Sequence, residues 1–154
     1  AQRMIVMNAG RMEQIGTPEA VYQRPATTFV AGFIGTPPMN LLTGRAEGKR
    51  FTVAGQALDL PAPAPRDGEL ILGLRPEHAD VAGAGSSGWP LKVEMIEMLG
   101  AERLVHGQLG DGLFTVRIDG TLVPPEAGQT VQLSMSADHL HWFDAQTHQR
   151  VERA

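Results

Sequence analysis

Three polar side chains follow one apolar run closely enough to suggest a chemical site. Residues 70–74 are apolar and lead into Arg75-Pro76-Glu77-His78, which brings together a guanidinium, a carboxylate and an imidazole. Such groups could serve in catalysis. A strand-ending arginine paired with a glutamate across a proline-fixed turn is also a structural device, because a guanidinium can hold two oxygens at once. We favour this structural interpretation and predict an Arg75–Glu77 pair.

The histidines near the end of the sequence have a spacing that could suit a metal ion. His139 and His141 are two residues apart, so on a strand both imidazoles would face one side, with Asp138, Asp144 and His148 nearby. Zinc needs neutral imidazoles at such a spacing and further ligands. The neighbouring apolar residues indicate instead a strand that packs against a core: Leu140, Trp142 and Phe143. We therefore predict no metal site.

Motifs that grip phosphate or activate a nucleophile are missing from the sequence. No Gly-x-x-x-x-Gly-Lys-Ser/Thr loop occurs, and the Gly-rich residues 83–88 have neither the lysine nor the following helix that phosphate binding needs. We interpret this stretch as a loop. No Gly-x-Ser-x-Gly segment occurs either. The sequence therefore predicts no catalytic and no cofactor-binding residue.

The two tryptophans, Trp89 and Trp142, could fill a core or anchor a contact between subunits. We favour the core for both. The alternative is an interface that also includes the residues beside Trp142. That candidate interface consists of Trp89, His139, His141, Trp142 and Phe143.

The composition favours short strands joined by turns. The 154 residues suffice for one domain, or for one domain and part of another, and 18 Gly and 11 Pro are typical of many turns. The absence of cysteine excludes disulfides, thiolate zinc sites and cysteine nucleophiles. A net charge of −4 argues against nucleic-acid binding. No apolar run approaches the roughly 20 residues that span a bilayer, and no export signal is evident.

The first 23 residues predict a hairpin followed by a short helix. Residues 3–7 form an apolar run and residues 11–16 alternate in polarity, with Asn8-Ala9-Gly10 between them as a turn. Thr17 is a suitable N-cap, and Pro18 suits the first position of a helix. Two strands alone are marginal in water, so this hairpin needs something to pack against.

A second short helix is predicted over residues 28–34, with Gly35 ending it. Phe29, Val30 and Phe33 would share its apolar face. The stiff segment Thr36-Pro37-Pro38 then marks a boundary.

Beyond residue 40 the pattern is one of short strands. Residues 41–46, 50–54 and 57–60 predict a meander, residues 61–65 a proline-rich connector, and residues 70–74 a buried strand. We expect the later strands to close as a small barrel.

Alternation predicts which side chains of those later strands face inward, and Asp119-Gly120 predicts a tight turn into residues 121–123. The predicted inward sets are Leu91, Val93 and Met95; Phe114, Val116 and Ile118; and Val131, Leu133 and Met135. The predicted fold class is mainly β.

Residues 3–35 resemble the close of the nucleotide-binding domain in importer ATPases of the maltose-transporter type. Gly-Leu-Arg-Pro-Glu-His at residues 73–78 is similar to a signature of the regulatory domain of that family, and residues 93–107 are similar to its strand, bend and strand. Residues 43–69 and 79–90 match poorly. The resemblance implies an OB-like, TOBE/MOP-like β-barrel. It divides the chain into residues 1–35, the remnant of the nucleotide-binding domain, and residues 36–154, the regulatory domain.

The first residue is Ala1, and the first methionine, Met4, lies within an apolar run. We expect the natural start to lie upstream. The resemblance then implies that the motifs which bind ATP and Mg²⁺ belong to the full-length parent, and that this fragment holds no cofactor.

The implied function is non-catalytic regulation and dimerisation of an importer ATPase on the cytoplasmic side of the bacterial inner membrane. The implied partners are a second copy, membrane permease subunits reached through the missing nucleotide-binding domain, and a regulatory protein. Residues 38–42 and 140–144 look most like the branch that imports sn-glycerol-3-phosphate, with sugar importers next.

Two other functions stay open at this stage. One is a free-standing OB-type module that binds a small anion or an oligonucleotide, which tight, salt-sensitive oligonucleotide binding would indicate. The other is an enzyme with an unrecognised site. ATP hydrolysis by the chain itself would contradict the non-catalytic interpretation.

Overall fold

A computed structural model of the chain describes residues 2–82, 88–121 and 123–152. The architecture is mainly β, as the sequence predicts, with two five-stranded sheets, a separate hairpin and two short helices. Of the predicted loop at residues 83–88, all but Gly88 lies outside the described residues.

The hairpin and the first helix are confirmed. Strand β1 (Met4–Asn8) pairs antiparallel with β2 (Arg11–Gly16), and α1 (Pro18–Gln23) follows directly. The Thr17 hydroxyl accepts a hydrogen bond of 3.1 Å from the N–H of Ala20, which satisfies one of the free donors at the start of the helix.

The second helix, α2 (Thr28–Phe33), is also present, but its predicted apolar face is wrong at two positions. Val30 is buried and packs with residues of the hairpin and of α1, whereas Phe29 and Phe33 are exposed. Their two rings stack on each other with centroids 5.9 Å apart. Six residues make under two turns, and the buried side chains of α2 are Val30 and its neighbour Ala31.

The first five-stranded sheet contains the predicted meander. It consists of β3 (Asn40–Glu47), β4 (Arg50–Val53), β5 (Gln56–Asp59), β6 (Gly68–Leu74) and, from the end of the chain, β12 (His141–Asp144). The order is β12-β6-β3-β4-β5, and every pairing is antiparallel.

The second sheet contains most of the later strands. It consists of β7 (Asp80–Ala82), β8 (Trp89–Leu99), β9 (Glu102–Leu109), β10 (Gly112–Asp119) and β11 (Thr130–Ser134), in the order β10-β9-β8-β11-β7. The turn at Asp119-Gly120 is confirmed, and Val123 beyond it is exposed and outside any strand. Leu122 lies outside the described residues.

One predicted face of β8 changes partway along the strand. Leu91 and Val93 are buried as expected, but Met95 is 54% exposed and Ile96 packs against the core instead. The pairing of β8 with β9 shifts register between Val93 and Met95, and a bulge of this kind moves every following side chain to the opposite face.

The two sheets face each other across one core. Phe51 and Leu72 from the first sheet and Phe114 and Leu133 from the second belong to the same buried cluster. The strands predicted to close as a small barrel therefore form one wall of this core, and the other sheet forms the second wall.

Two short 3₁₀ helices adjoin core strands, one after a strand and one before a strand. One covers Pro76–His78 after β6, and the other covers Ala137–His139 before β12. Neither α1 nor α2 is long and apolar enough to cross a membrane, and the same holds for every helix in the described ranges.

Candidate functional site

The end of β6 places Arg75 against the first 35 residues of the chain. Arg75 is 1% exposed and donates two hydrogen bonds of 2.8 Å, from Nη2 to the Tyr22 carbonyl and from Nη1 to the Ile34 carbonyl. Its guanidinium carbon lies 4.0 Å from the centre of the Tyr22 ring, a cation–π distance. Arg75 therefore holds the end of α1 and the residue after α2 on the first sheet.

Gly35 makes room for this contact. A side chain at residue 35 would place its Cβ 3.0 Å from Nη1 of Arg75, which is tighter than ordinary van der Waals contact. Its φ of 107° lies in a region that favours glycine. The residue predicted to end the second helix thus also permits the close approach of the guanidinium.

The predicted pairing of Arg75 with Glu77 is corrected by this arrangement. Both carbonyl bonds of Arg75 go to the main chain of the helical segment, and the Glu77 carboxylate accepts a hydrogen bond from the Tyr22 hydroxyl. Pro76 opens a 3₁₀ turn that directs Glu77 toward this hydroxyl. Residues 75–78 therefore bind the helical segment to the first sheet, whereas the sequence predicts that they stabilise only their own turn.

We call the contacts of Arg75 and Glu77 with Tyr22 and Ile34 the Arg75 junction. The pKa values of its residues favour a structural role. Burial, together with the hydrogen bond to Glu77, raises the pKa of Tyr22 to about 12. Burial alone would raise the pKa of Glu77, but the bonds from the Tyr22 hydroxyl and from its own main-chain N–H hold that pKa below its usual value. Near neutral pH the phenol is protonated and the carboxylate is ionised, so neither group is poised to exchange protons.

His78 is the last residue of the same 3₁₀ turn, and its ring stacks against that of His139. The ring centroids are 3.9 Å apart and the planes differ by 10°. Burial, with a contribution from His139, lowers the pKa of His78, which keeps this ring neutral near pH 7.

The prediction that His139 and His141 share one strand is wrong. His139 ends a 3₁₀ helix, whereas His141 begins β12 and is buried. Nδ1 of His141 lies 3.1 Å from an Nη1 donor of Arg150. Burial and this guanidinium lower the pKa of His141 to about 4. No group of three metal-ligating side chains occurs in the described part of the chain.

Most of the candidate interface residues are turned into this chain. Trp89 is 1% exposed and its indole N–H donates to the Asp59 carbonyl at 2.8 Å. Trp142 packs edge-on against Phe51, and Phe143 is fully buried. Of the five, His139 is the one that the structure leaves on the surface.

Several residues of the junction could not be found from the sequence. Arg150, near the end of the chain, donates to the Pro25 carbonyl and pairs with Glu152, which in turn pairs with Arg24. The partners in the Pro25 bond are 125 residues apart. An exposed arginine and a contact-forming one look alike in a single sequence, so no local pattern marks these residues.

Comparison with known domains divides the chain into two overlapping matches. Residues 35–79 match the MalK OB fold domain, and residues 72–143 match the TOBE domain. The Arg75–His78 turn falls where the two overlap.

Whole proteins similar to this chain carry one name in three organisms. The chain is 49% identical over 151 residues to the sn-glycerol-3-phosphate import ATP-binding protein UgpC of Cereibacter sphaeroides, and the match covers 98% of the chain and 43% of that protein. Proteins of the same name from Paraburkholderia xenovorans and Escherichia coli are 44% and 43% identical over 161 and 157 residues, each match covering 98% of the chain and 44% of the relative. The chain thus spans less than half the length of these relatives.

Proposed function

This chain matches the C-terminal part of the ATP-binding proteins of ABC importers, and from that premise we propose that it acts as their regulatory and dimerisation domain. The observation that carries the proposal is the similarity over 98% of the chain, at 49% identity, to an importer ATP-binding protein. In this proposal residues 1–35 belong to the nucleotide-binding domain, and residues 36–154 form the regulatory domain.

The Arg75 junction supports a mechanical role. It joins the helices of residues 1–35 to the sheets through two hydrogen bonds to main-chain carbonyls and a stacked ring. A buried arginine held in this way resists bending between the two parts, because any displacement would leave a charged donor without its acceptors. A movement of the nucleotide-binding domain would then be passed to the sheets as a rigid-body movement.

The regulatory step follows from linkage. A partner that binds the paired regulatory domains in one arrangement shifts the ATPase cycle toward that arrangement only by its difference in affinity for the two. The partners we propose are a second copy of the chain, permease subunits contacted through the nucleotide-binding domain, and a regulatory protein. ATP and Mg²⁺ would be bound by the parent protein outside this fragment, on the cytoplasmic side of the inner membrane.

The transported solute we propose is sn-glycerol-3-phosphate, the solute in the names of the relatives. Related sugars or polyols are the alternatives. In this proposal the chain contributes no group to solute binding, since the role of the ATP-binding subunit is to drive transport.

A chimera tests the proposal directly. The matched region of the Escherichia coli relative would be replaced by this chain, and the fusion expressed in cells that lack their own copy. We expect uptake of labelled sn-glycerol-3-phosphate, whereas the same protein truncated before the replaced region should transport less. A fusion that is made and hydrolyses ATP but supports no uptake would contradict the proposal.

Sedimentation tests the proposed dimerisation separately from transport. Sedimentation of the purified chain should show self-association that grows with concentration, and purified chain should not hydrolyse ATP above background. A strict monomer in both the chain and the chimera would count against the dimerisation role.

A further inference from the structure

Aspartate precedes glycine at three places in the chain. These are Asp67-Gly68, Asp111-Gly112 and Asp119-Gly120. An Asp-Gly dipeptide is prone to spontaneous isomerisation, because glycine has no side chain to hinder attack by its own main-chain nitrogen. All three aspartates are exposed, so exposure does not distinguish them. Their hydrogen bonds, however, differ.

The reaction needs a carboxyl group that is free to turn and to take up a proton. The glycine nitrogen attacks Cγ of the aspartate, an N–Cγ bond forms, and the amide proton and the side-chain hydroxyl leave as water. Water then opens the cyclic succinimide. Cleavage of the new N–Cγ bond returns aspartate, whereas cleavage of the original peptide bond gives isoaspartate, whose main chain runs through Cβ and Cγ. Water is the only co-reactant.

Asp119 is held in a state that opposes this reaction. Its Oδ1 accepts a hydrogen bond of 2.8 Å from the N–H of Thr121, as in an Asx turn, and this bond lowers the pKa of the carboxyl group. The nitrogen that would attack, that of Gly120, donates to the Ala101 carbonyl at 2.8 Å. Both reacting groups of this dipeptide are therefore engaged elsewhere.

The Asp111 side chain differs from the other two. Asp67 must break a bond before it can react, since its Oδ1 accepts from the N–H of Gly48 at 3.0 Å. The Asp111 carboxylate has no hydrogen bond and no ion pair with any residue that the structure describes. The space around Gly112 is open, because a Cβ there would meet no atom within 4 Å. Asp111 is thus free to turn toward the next nitrogen.

The turn that contains Asp111 lies at the end of an edge strand. Gly110 and Asp111 connect β9 to β10, and Gly110 has a φ of 66°, as the first central residue of such a tight turn can have. Strand β10 is the outermost strand of the second sheet. Because a turn at the end of an edge strand opens more easily than the middle of a sheet, the Asp111 carboxyl can reach the Gly112 nitrogen.

We propose that Asp111 is a modification site at which isoaspartate forms spontaneously, while Asp67 and Asp119 are protected by their hydrogen bonds. The inference is independent of the transport role.

The modification would act on the contact between the two sheets. The N–H of Gly110 donates to Oε1 of Gln56, on β5 of the first sheet, at 3.2 Å. Isoaspartate at residue 111 adds a methylene group to the main chain beside this peptide. The turn has little room to adjust, since a Cβ at Gly110 would lie 2.7 Å from Cγ1 of Val53. The modified chain should therefore be less stable than the unmodified chain.

Ageing of the folded chain tests the site. The purified chain would be kept at neutral pH, digested with trypsin, and each peptide assayed with an isoaspartyl methyltransferase and a labelled methyl donor. Arg103 and Arg117 separate the three dipeptides onto different peptides. We expect the peptide of residues 104–117 to hold several times more isoaspartate than the other two. Equal levels in all three peptides, or none at Asp111, would overturn the proposal.

Ageing in urea shows whether the fold makes the selection. The hydrogen bonds of Asp67 and Asp119 are lost in the unfolded chain, so the three dipeptides should isomerise at similar rates there. If urea left the preference for Asp111 unchanged, neighbouring residues would set it, and protection by the fold would be wrong.

Gly112→Ala tests the mechanism in the folded chain. The added methyl group hinders attack by the nitrogen of residue 112, and it enters open space at a φ outside the left-handed region. We expect isomerisation at Asp111 to slow several-fold, with the peptide that holds Asp119 as the internal control. An unchanged rate at Asp111 would contradict ring closure through this nitrogen.

Asp111→Glu tests the effect on stability, because the longer side chain would have to close a larger and less favourable ring. The aged parent chain should unfold at lower urea concentration than the fresh one, whereas aged and fresh Asp111→Glu should unfold alike. An aged parent chain that contains isoaspartate and is as stable as the fresh chain would contradict the effect on the sheet contact.

Discussion

The guanidinium of Arg75 lies over the ring of Tyr22 at 4.0 Å and donates to the main-chain carbonyl of the same residue. One side chain thus contacts both the ring and the backbone of a residue 53 positions earlier. The Tyr22 hydroxyl in turn donates to Glu77, two residues after Arg75. Arg75 and Glu77 therefore both contact Tyr22, and these contacts fix how α1 packs on the first sheet.

Replacing Arg75 tests that junction. Arg75→Lys keeps the charge but cannot reach both carbonyls in fork geometry, so we expect a loss of about 2–4 kcal/mol in the free energy of unfolding. Chemical denaturation measures the loss, and hydrogen exchange should show weaker protection in α1 and α2. Arg45→Lys at an exposed position is the control and should stay within about 0.5 kcal/mol of the parent. Equal stability of the two variants would contradict the role of the junction.

The sequence predicts local features of this fold well and contacts between distant residues poorly. Thr17 was identifiable as an N-cap because its partner, Ala20, is three residues away. The inward face of β10 was identifiable because alternation depends only on neighbouring residues.

Features that depend on residues distant in the sequence could not be predicted. Alternation puts Met95 on the wrong face of β8, because the bulge in this strand depends on how β9 pairs with it. The partners of Arg75 were missed because Tyr22 and Ile34 become its neighbours only after the helices dock. At the candidate site the motif residues themselves could be named from the sequence, but not what they bind.

Tyr22 is the chain's single tyrosine, so its ionisation can be followed directly by absorbance. We expect a pKa of about 12 in the folded chain, because burial and the bond to Glu77 favour the neutral phenol. In Glu77→Gln the pKa should fall but stay above 10, since burial persists. A value near 10 in the parent chain at a pH where it is still folded would contradict the buried, bonded phenol.

The same shift has a consequence for alkaline stability. The folded pKa of Tyr22 lies above the unfolded value near 10, so the unfolded chain releases its proton first as the pH rises. The stabilising contribution is fully present below pH 10 and is lost between about pH 10 and 12. Tyr22→Phe should remove this part of the pH dependence, as denaturation midpoints across that range would show.

Acid stability should depend on His141. Its folded pKa of about 4 lies below its ordinary value of 6.5, so between these values the unfolded chain binds the proton and the folded chain does not. Stability should therefore fall as the pH drops from 6.5 to 4, by up to about 3 kcal/mol from this group. His78, whose pKa burial and His139 also lower, contributes in the same direction.

The measurement compares two histidine variants by urea denaturation at neutral and acidic pH. His141→Gln keeps an acceptor for Arg150 but cannot be protonated, so its stability should fall less on acidification than that of the parent chain. His148→Asn is the control, because His148 is exposed and its φ of 64° suits asparagine. Identical pH profiles for His141→Gln and the parent would contradict the assignment.

Asn40 joins the two sheets through hydrogen bonds, and replacing it should weaken the contact between them. Its amide nitrogen donates to the Leu74 carbonyl on β6 at 3.0 Å and to the Thr115 carbonyl on β10 at 2.8 Å, while its Oδ1 accepts from the Thr115 N–H at 2.9 Å. Asn40→Asp would turn an oxygen toward two carbonyl oxygens. We expect a loss of about 2–4 kcal/mol in the free energy of unfolding at neutral pH.

The pH dependence of this variant distinguishes repulsion from simple loss of a bond. The substituted carboxylate faces carbonyl oxygens, so its pKa should rise in the folded chain, and protonation would restore a donor to one of them. Relative to the parent, Asn40→Asp should therefore regain stability as the pH falls toward 4, whereas Asn40→Ala should show no such recovery. Asn8→Asp, near the hairpin turn, provides the control for adding a carboxylate. A penalty for Asn40→Asp that does not change with pH would mean that its oxygens point away from Leu74 and Thr115.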